Sequence, residues 1–213
     1  MDGNPGTQSA TRTIEVFADV TCPFTHVGLR RFVERRESLG RDDVVLRVRA
    51  WPLEVVNGST MDPDFIGEEI DLLRSSVAGD LFVGFTTSAF PGTSMPALAV
   101  AAAAYRHDLV TGEAVSLLLR DLLWEKGQDI GSPAVLAEVT DRFGLQVRDI
   151  DVEAVYDDHR EGVARCVIGS PHFFTPADSY FCPGLDISRN ADDHLVIAPA
   201  GLEVEAFLSA CFD

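Results

Sequence analysis

Cys22 carries the clearest chemistry in the chain, because it follows a short apolar run and stands immediately before Pro23, where a helical pattern begins. Proline suits the first helical position, so the cysteine falls at the N-cap. There it meets unpaired backbone N–H groups and the positive end of the helix dipole, which favour thiolate over thiol. Cysteines so placed can fall from a pKa of ~8.5 to as low as ~3.5. The alternative is a small buried hydrophobe, the common role of a free cysteine. Of the other three cysteines, Cys182 lies in the turn-rich Ser179-Tyr180-Phe181-Cys182-Pro183-Gly184 and is the best second thiol. Cys166 and Cys211 sit in amphipathic helical patterns and are expected in the core. His26 follows Cys22 by four residues and could tune a thiolate, line a groove, or simply be a half-exposed polar residue. Two ligands at that spacing without a second pair do not make a metal site, so no metal is expected. His107, His159 and His194 carry no motif and read as surface or cap residues.

These residues need elements to position them. Thr13 to Ala18 (TIEVFA) reads as a strand, and Pro23 to Gly40 as a helix with Leu29, Phe32 and Val33 on one face. Val44 to Trp51 alternates apolar residues with Arg47 and Arg49, the period of a half-buried strand. The opening is therefore β, α, β, with parallel pairing favoured by the crossover. From about Asp62 to Ile168 the signals are helical: Met95 to Arg106, Val115 to Trp124, a helix from Ser132-Pro133 to Gly144, and one from Val152 carrying Val155, His159, Val163 and Val167 at spacings of four. Apolar runs return at His172 to Thr175 and His194 to Ala198, before a last helix, Glu203 to Cys211. The pattern predicts an α/β sheet in two pieces with an all-helical insertion: residues 1–12 a disordered leader, 13–60 and 165–213 the sheet domain, 61–164 the helical domain.

Composition narrows the partners. In 213 residues, 34 acidic side chains against 17 basic give a formal charge of −17, which argues against nucleic acid and against an anionic membrane surface. No apolar run reaches the ~18 residues of a membrane span, and Met1 to Thr13 lacks the apolar stretch of a secretion signal, so a cytoplasmic protein with reduced thiols is expected. Four cysteines without a CxxC pair make neither a disulfide scaffold nor a zinc site. All but one of the basic residues are arginine, which leaves Lys126 as the single lysine for any Schiff-base chemistry. Acidic pairs at Glu68-Glu69, Asp157-Asp158 and Asp192-Asp193 read as solvated faces. No P-loop, GxGxxG or GxSxG is present.

The segment DVTCPFTHVGLRRF resembles the active-site stretch of DsbA-like thioredoxin-fold proteins of the FrnE type, whose signature is approximately D-x-x-C-P-[WF]-C-[YW]-x-G; Asp19, Cys22, Pro23, Phe24 and Gly28 match it. Far along the chain, Ile168-Gly169-Ser170-Pro171-His172-Phe173-Phe174 is similar to the family's G-[VS]-P-x-F loop. Between them, Leu118 to Trp124, Gly127-Gln128-Asp129-Ile130 and Pro133-x-x-Leu136 resemble the family's helical insertion. The resemblance implies a thioredoxin fold (βαβ…ββα) carrying an all-helical insertion domain, and Pro171 as the cis-proline facing Cys22. It implies that Pro23, Phe24, His26, Ser170 and His172 line the substrate side. Where the family has the second cysteine of CxxC, this chain has Thr25. Thr25 can donate a hydrogen bond to a Cys22 thiolate but cannot resolve a mixed disulfide, so the site is a monothiol one that calls for an external thiol or a distant cysteine.

Three functions follow from this pattern. The first is a thiol-disulfide oxidoreductase acting through Cys22 on a protein, peptide or small disulfide, with no tightly bound cofactor and a low-molecular-weight thiol as co-substrate. The second comes from a related resemblance, to kappa-class glutathione transferases and 2-hydroxychromene-2-carboxylate isomerases, whose D-x-x-S-P-[YF]-[ST] segment accommodates Thr25 but not Cys22. The third is a redox-inactive binding protein that lost half of its dithiol. A homodimer through the helical block is compatible with all three.

Overall fold

The computed structural model describes residues 11–192 and 194–213, so the predicted leader, apart from Thr11 and Arg12, and the Asp193 half of one acidic pair lie outside the described residues. Strand β1 (Arg12–Ala18) begins at Arg12, and β2 (Val44–Ala50) runs parallel to it in register from Arg12 opposite Val44 to Ala18 opposite Ala50. Helix α1 (Pro23–Leu39) makes the crossover. It stops at Gly40, whose φ of 61° lies in the left-handed region that glycine enters without steric cost.

Strand β3 (His172–Phe174) then pairs antiparallel with β1, and β4 (Ser179–Phe181) pairs antiparallel with β3, giving the sheet order β2-β1-β3-β4. This is the thioredoxin arrangement, but the second half of the sheet differs from the sequence reading. The apolar run after His194 forms β6 (Leu195–Pro199), which pairs with β5 (Leu185–Arg189) in a separate hairpin and not beside β3. The place at the sheet edge goes to β4, a three-residue, mostly exposed strand that carries no period long enough to read.

Between the halves lie α2 (Leu53–Asn57), α3 (Pro63–Ser76), α4 (Met95–His107), α5 (Leu109–Trp124), α6 (Pro133–Phe143) and α7 (Asp149–Ala164), and α8 (Gly201–Phe212) closes the chain. No strand occurs there among the described residues. The stripe read from Val155 to Val167 is broken. Helix α7 ends at Ala164, Val163 is exposed, and Cys166 adopts a φ of 59° as Val167 N–H returns to the Gly162 carbonyl. Gly162 is required for another reason: a Cβ there would come within 2.6 Å of the Trp51 ring.

One core lies between α1, α8 and the sheet, with Ile14, Val16, Leu29, Phe32, Phe173 and Phe207 buried in it. A second, larger one gathers the helical block around Ile66, Leu73, Phe82, Leu119, Leu123 and Trp124, and reaches the β1–α1 corner through Val20 and Val27. That corner is where Cys22 sits. Among the described residues no helix is long and apolar enough to cross a membrane.

Candidate active site

Cys22 is the N-cap of α1, extended at φ −89° and ψ 115°, with Pro23 at the first helical position. Its side chain does not cap the helix. The thiol, in a residue only 3% exposed, donates to the carbonyl of Ser170 at 3.1 Å. One turn into α1, the fully buried Thr25 places its hydroxyl 2.8 Å from the Ser170 hydroxyl, which also accepts the Asp19 N–H at 2.9 Å. Ser170 thus ties the end of β1, the first turn of α1 and the start of β3 together, and its peptide bond to Pro171 is cis.

The helix terminus does not dominate this thiol. Burial pushes the Cys22 pKa upward from its ordinary value, and the charge of Glu69 adds to the rise. Hydrogen bonds from the Thr25 side chain, Ser170 and the Thr25 backbone oppose it. In its resting state Cys22 is therefore a protonated thiol whose prospective thiolate already has its donors in place.

Beneath it lies a layer of buried polar groups that sequence reasoning did not assign. Asp19 accepts from the Thr21 N–H and hydroxyl, both at 2.8 Å, from Leu53 N–H at 2.7 Å and from the Ser94 hydroxyl at 3.1 Å. Burial nevertheless raises its pKa against those four bonds. Arg120, 2% exposed, gives its terminal nitrogens to the Ser116 carbonyl and hydroxyl and to the Asp19 carbonyl at 3.2 Å, while its Nε has no partner among the described residues. Burial lowers its pKa to about 10. Glu69 is not on the solvated face read for the Glu68-Glu69 pair: it is buried on the inner side of α3 with Oε2 unpartnered, and burial lifts it to about 7. Asp158 of the second pair likewise turns inward to accept the Ala50 N–H at 2.9 Å beside Arg49. The signal for Arg120 and Glu69 was in the sequence. Arg120 shares a helical face with Ser116, Leu119 and Leu123, and Glu69 with Ile66, Ile70 and Leu73, so each is a charge on an apolar stripe.

The two motif histidines go elsewhere. His26 is buried with its Nε2 2.7 Å from Glu125 and its ring against Phe82 and Trp124, so it joins α1 to the end of α5. Burial lowers its pKa, which keeps the ring neutral and leaves Nε2–H to donate to the Glu125 carboxylate. His172 stacks on Phe174 at 4.8 Å and accepts the Ile168 N–H through Nδ1 at 3.3 Å; burial and then Arg165 lower its pKa. His159, read as a surface or cap residue, instead lies mid-helix on the Trp51 ring at 5.0 Å.

Phe24 and Pro171 line an apolar cavity of about 340 Å³, together with Val27, Gly28, Phe173 and Cys182. Pro23 is buried in the first turn of α1. Cys182 is buried, and its N–H donates to the Pro171 carbonyl at 2.9 Å. Cys211 is buried in the core under α8, but Cys166 is exposed, contrary to the reading that placed it in a helix core; it lies past the end of α7. Among the described residues no group of three or more His, Cys, Asp or Glu is arranged to hold a metal ion.

The family profile described as a DSBA-like thioredoxin domain matches residues 13–196. No curated protein matches the chain in sequence. Among solved structures, a 2-hydroxychromene-2-carboxylate isomerase is similar at a TM-score of 0.59 and 13% identity, covering 79% of this chain and 88% of its own. The cytosolic disulfide reductase DsbM from Pseudomonas aeruginosa is similar at 0.57 and 16%, over 92% of this chain and 97% of its own. The same protein with GSH is similar at 0.53 and 16%, over 79% and 88%. At these identities the likeness is one of fold.

Proposed function

The chain belongs to the DsbA-like thioredoxin domain family, and from that premise we propose that it is a thiol-disulfide oxidoreductase with a monothiol Cys-Pro-Phe-Thr site, in which Cys22 is the nucleophile and a low-molecular-weight thiol completes the cycle. The observation that carries this reading is the Cys22 thiol at the head of α1, hydrogen-bonded to the carbonyl of the cis Ser170–Pro171 unit. On this reading a disulfide docks beside Pro171, whose preceding carbonyl holds the Cys22 thiol at 3.1 Å. Loss of the thiol proton frees the sulfur to accept from the Thr25 backbone and hydroxyl, while the Ser170 hydroxyl supports the latter. The thiolate then displaces one half of the substrate disulfide.

Direction follows from the same burial. A stabilised thiolate makes an oxidant, because the reduced protein is favoured; a thiol pushed upward gives a scarcer but intrinsically more nucleophilic thiolate that is a poorer leaving group, so the reduced protein is disfavoured, which suits reduction. The fold likeness to a structure described as a cytosolic disulfide reductase with GSH supports glutathione or a comparable thiol as reductant, and a cytoplasmic setting. On this reading Phe24 and the apolar cavity beside Pro171 receive the non-reacting part of the substrate. Acid quenching and peptide mapping during turnover of a glutathionylated peptide test the assignment. A protein disulfide containing Cys22 is expected; disulfides confined to Cys166 would overturn it.

A further inference from the structure

A second thiol stands at the other side of the same cis unit. The register that sets His172 opposite Phe181 continues one step to set Pro171 opposite Cys182. The Cys182 N–H donates to the Pro171 carbonyl at 2.9 Å, as the Cys22 thiol donates to the carbonyl of the preceding residue at 3.1 Å. Cys182 also lines the apolar cavity with Phe24 and Pro171, where the substrate side of the site has just been placed. The remaining cysteines have no such relation: Cys166 is exposed beyond α7, and Cys211 is buried in the core under α8.

We propose that Cys182 is the resolving thiol of this site, doing from the end of β4 what the residue at position 25 cannot. The inference rests on Cys22 being the nucleophile. In the first step Cys22 gives its proton to solvent and the thiolate attacks R–S–S–R′, forming Cys22–S–S–R and releasing R′S⁻. That thiolate takes the proton of Cys182, whose burial otherwise keeps it protonated, and leaves as R′SH. The Cys182 thiolate then attacks the Cys22 sulfur, forming the Cys22–Cys182 disulfide and expelling RS⁻, which takes up from solvent the proton that Cys22 gave up and leaves as RSH. The substrate has gained two electrons and the protein has lost two. Two equivalents of a small thiol restore the pair and depart as their own disulfide.

Electrostatics agrees with closeness, since a charge on Cys22 is felt at Cys182 and disfavours a second thiolate beside it. Closing the pair calls for the Cys182-Pro183-Gly184 turn to bring one sulfur onto the other, with disulfide geometry as the requirement. Cys182 is held at a φ of 47°, a conformation that non-glycine residues adopt rarely and that clusters at working sites.

The test exposes reduced wild-type and Cys182→Ser protein to oxidised glutathione, quenches with acid over a time course, and maps the disulfides. The wild type is expected to pass through glutathionylated Cys22 to a Cys22–Cys182 disulfide two hydrogens lighter than the reduced protein. Cys182→Ser is expected to stop at the adduct, losing it at least about tenfold more slowly, since the competing intramolecular attack is gone. Cys182→Ala serves as a second variant, and the wild-type map decides without either. A wild type that keeps glutathione on Cys22 with Cys182 free overturns the proposal and leaves the nucleophile intact. No adduct on Cys22 in any of the proteins overturns both.

Discussion

Thr25→Val removes one hydroxyl and nearly nothing else, so it measures what the residue in place of the second cysteine does. The hydroxyl is fully buried and lies 2.8 Å from the Ser170 hydroxyl. In the resting protein the loss is modest, because Ser170 keeps the Asp19 N–H at 2.9 Å; about 1 kcal/mol is expected from one neutral hydrogen bond. For a chain of this length that lowers Tm by about 2–4 °C. The thiolate feels more. The Thr25 side chain is the strongest of the groups that oppose the upward push of burial on Cys22. A hydrogen bond to a charged acceptor contributes about 1.5–3 kcal/mol, and about 1.4 kcal/mol corresponds to one pKa unit, so the titration midpoint of Cys22 should rise by about one to two pH units. The assay is the rate of iodoacetamide modification of the Cys22 peptide against pH, read by mass spectrometry in both proteins. Thr25→Ser should restore the wild-type midpoint. A Thr25→Val midpoint equal to or below the wild type would refute the placement of Thr25 as a donor to the sulfur.

Three other substitutions probe the surroundings. Glu125→Ala strands the buried Nε2–H of His26 and the Phe82 N–H, each worth about 1–3 kcal/mol when left unpaired, so urea unfolding at pH 7 should show a clear loss. Because Glu125 is held near about 2 in the fold, the gap between the two proteins should narrow as pH falls from 4.5 toward 2. Glu69→Gln works in the opposite sense. A carboxyl lifted from 4.5 to about 7 by burial costs the fold stability as pH rises through that range, up to about 3 kcal/mol, and the variant should lose that dependence and be the more stable protein at pH 8. Arg120→Met exchanges a buried, incompletely paired cation for an apolar side chain. Tm should stay level or rise, while the midpoint of Cys22 alkylation moves up as a positive charge leaves its surroundings. A large fall in Tm would show that Arg120 is held for the fold alone.

The βαβ opening was legible because each signal was local: a β-branched run, proline after an N-cap, glycine in the left-handed region at the stop, and period-two alternation in β2. The far half of the sheet was not. Ser179–Phe181 is too short and too exposed to announce a strand, and only its pairing with β3 defines it. The run at β6 has the right composition, but its partner is chosen by the hairpin with β5. The same limit applies to the site. Cys22 and the Ser170–Pro171 loop could be read from their motifs, whereas the use of His26 depends on Glu125, 99 residues away. Glu69 was misread as half of a solvated pair and Arg120 was passed over, although each stands as a charge on an apolar stripe, a pattern that is informative when burial is taken seriously. Position at a helix N-cap predicted a lowered thiol pKa, and the direction reversed because desolvation, a tertiary effect, outweighs the helix end here.

The most direct test of Cys22 as the reacting thiol is the glutathione-dependent reduction of a small disulfide by Cys22→Ser beside Cys166→Ser, the two positions being the buried cysteine at the cis unit and the exposed one. The account predicts that Cys22→Ser falls to the uncatalysed rate while Cys166→Ser keeps wild-type kcat/KM. Retention of activity in Cys22→Ser, or its loss in Cys166→Ser, would contradict it.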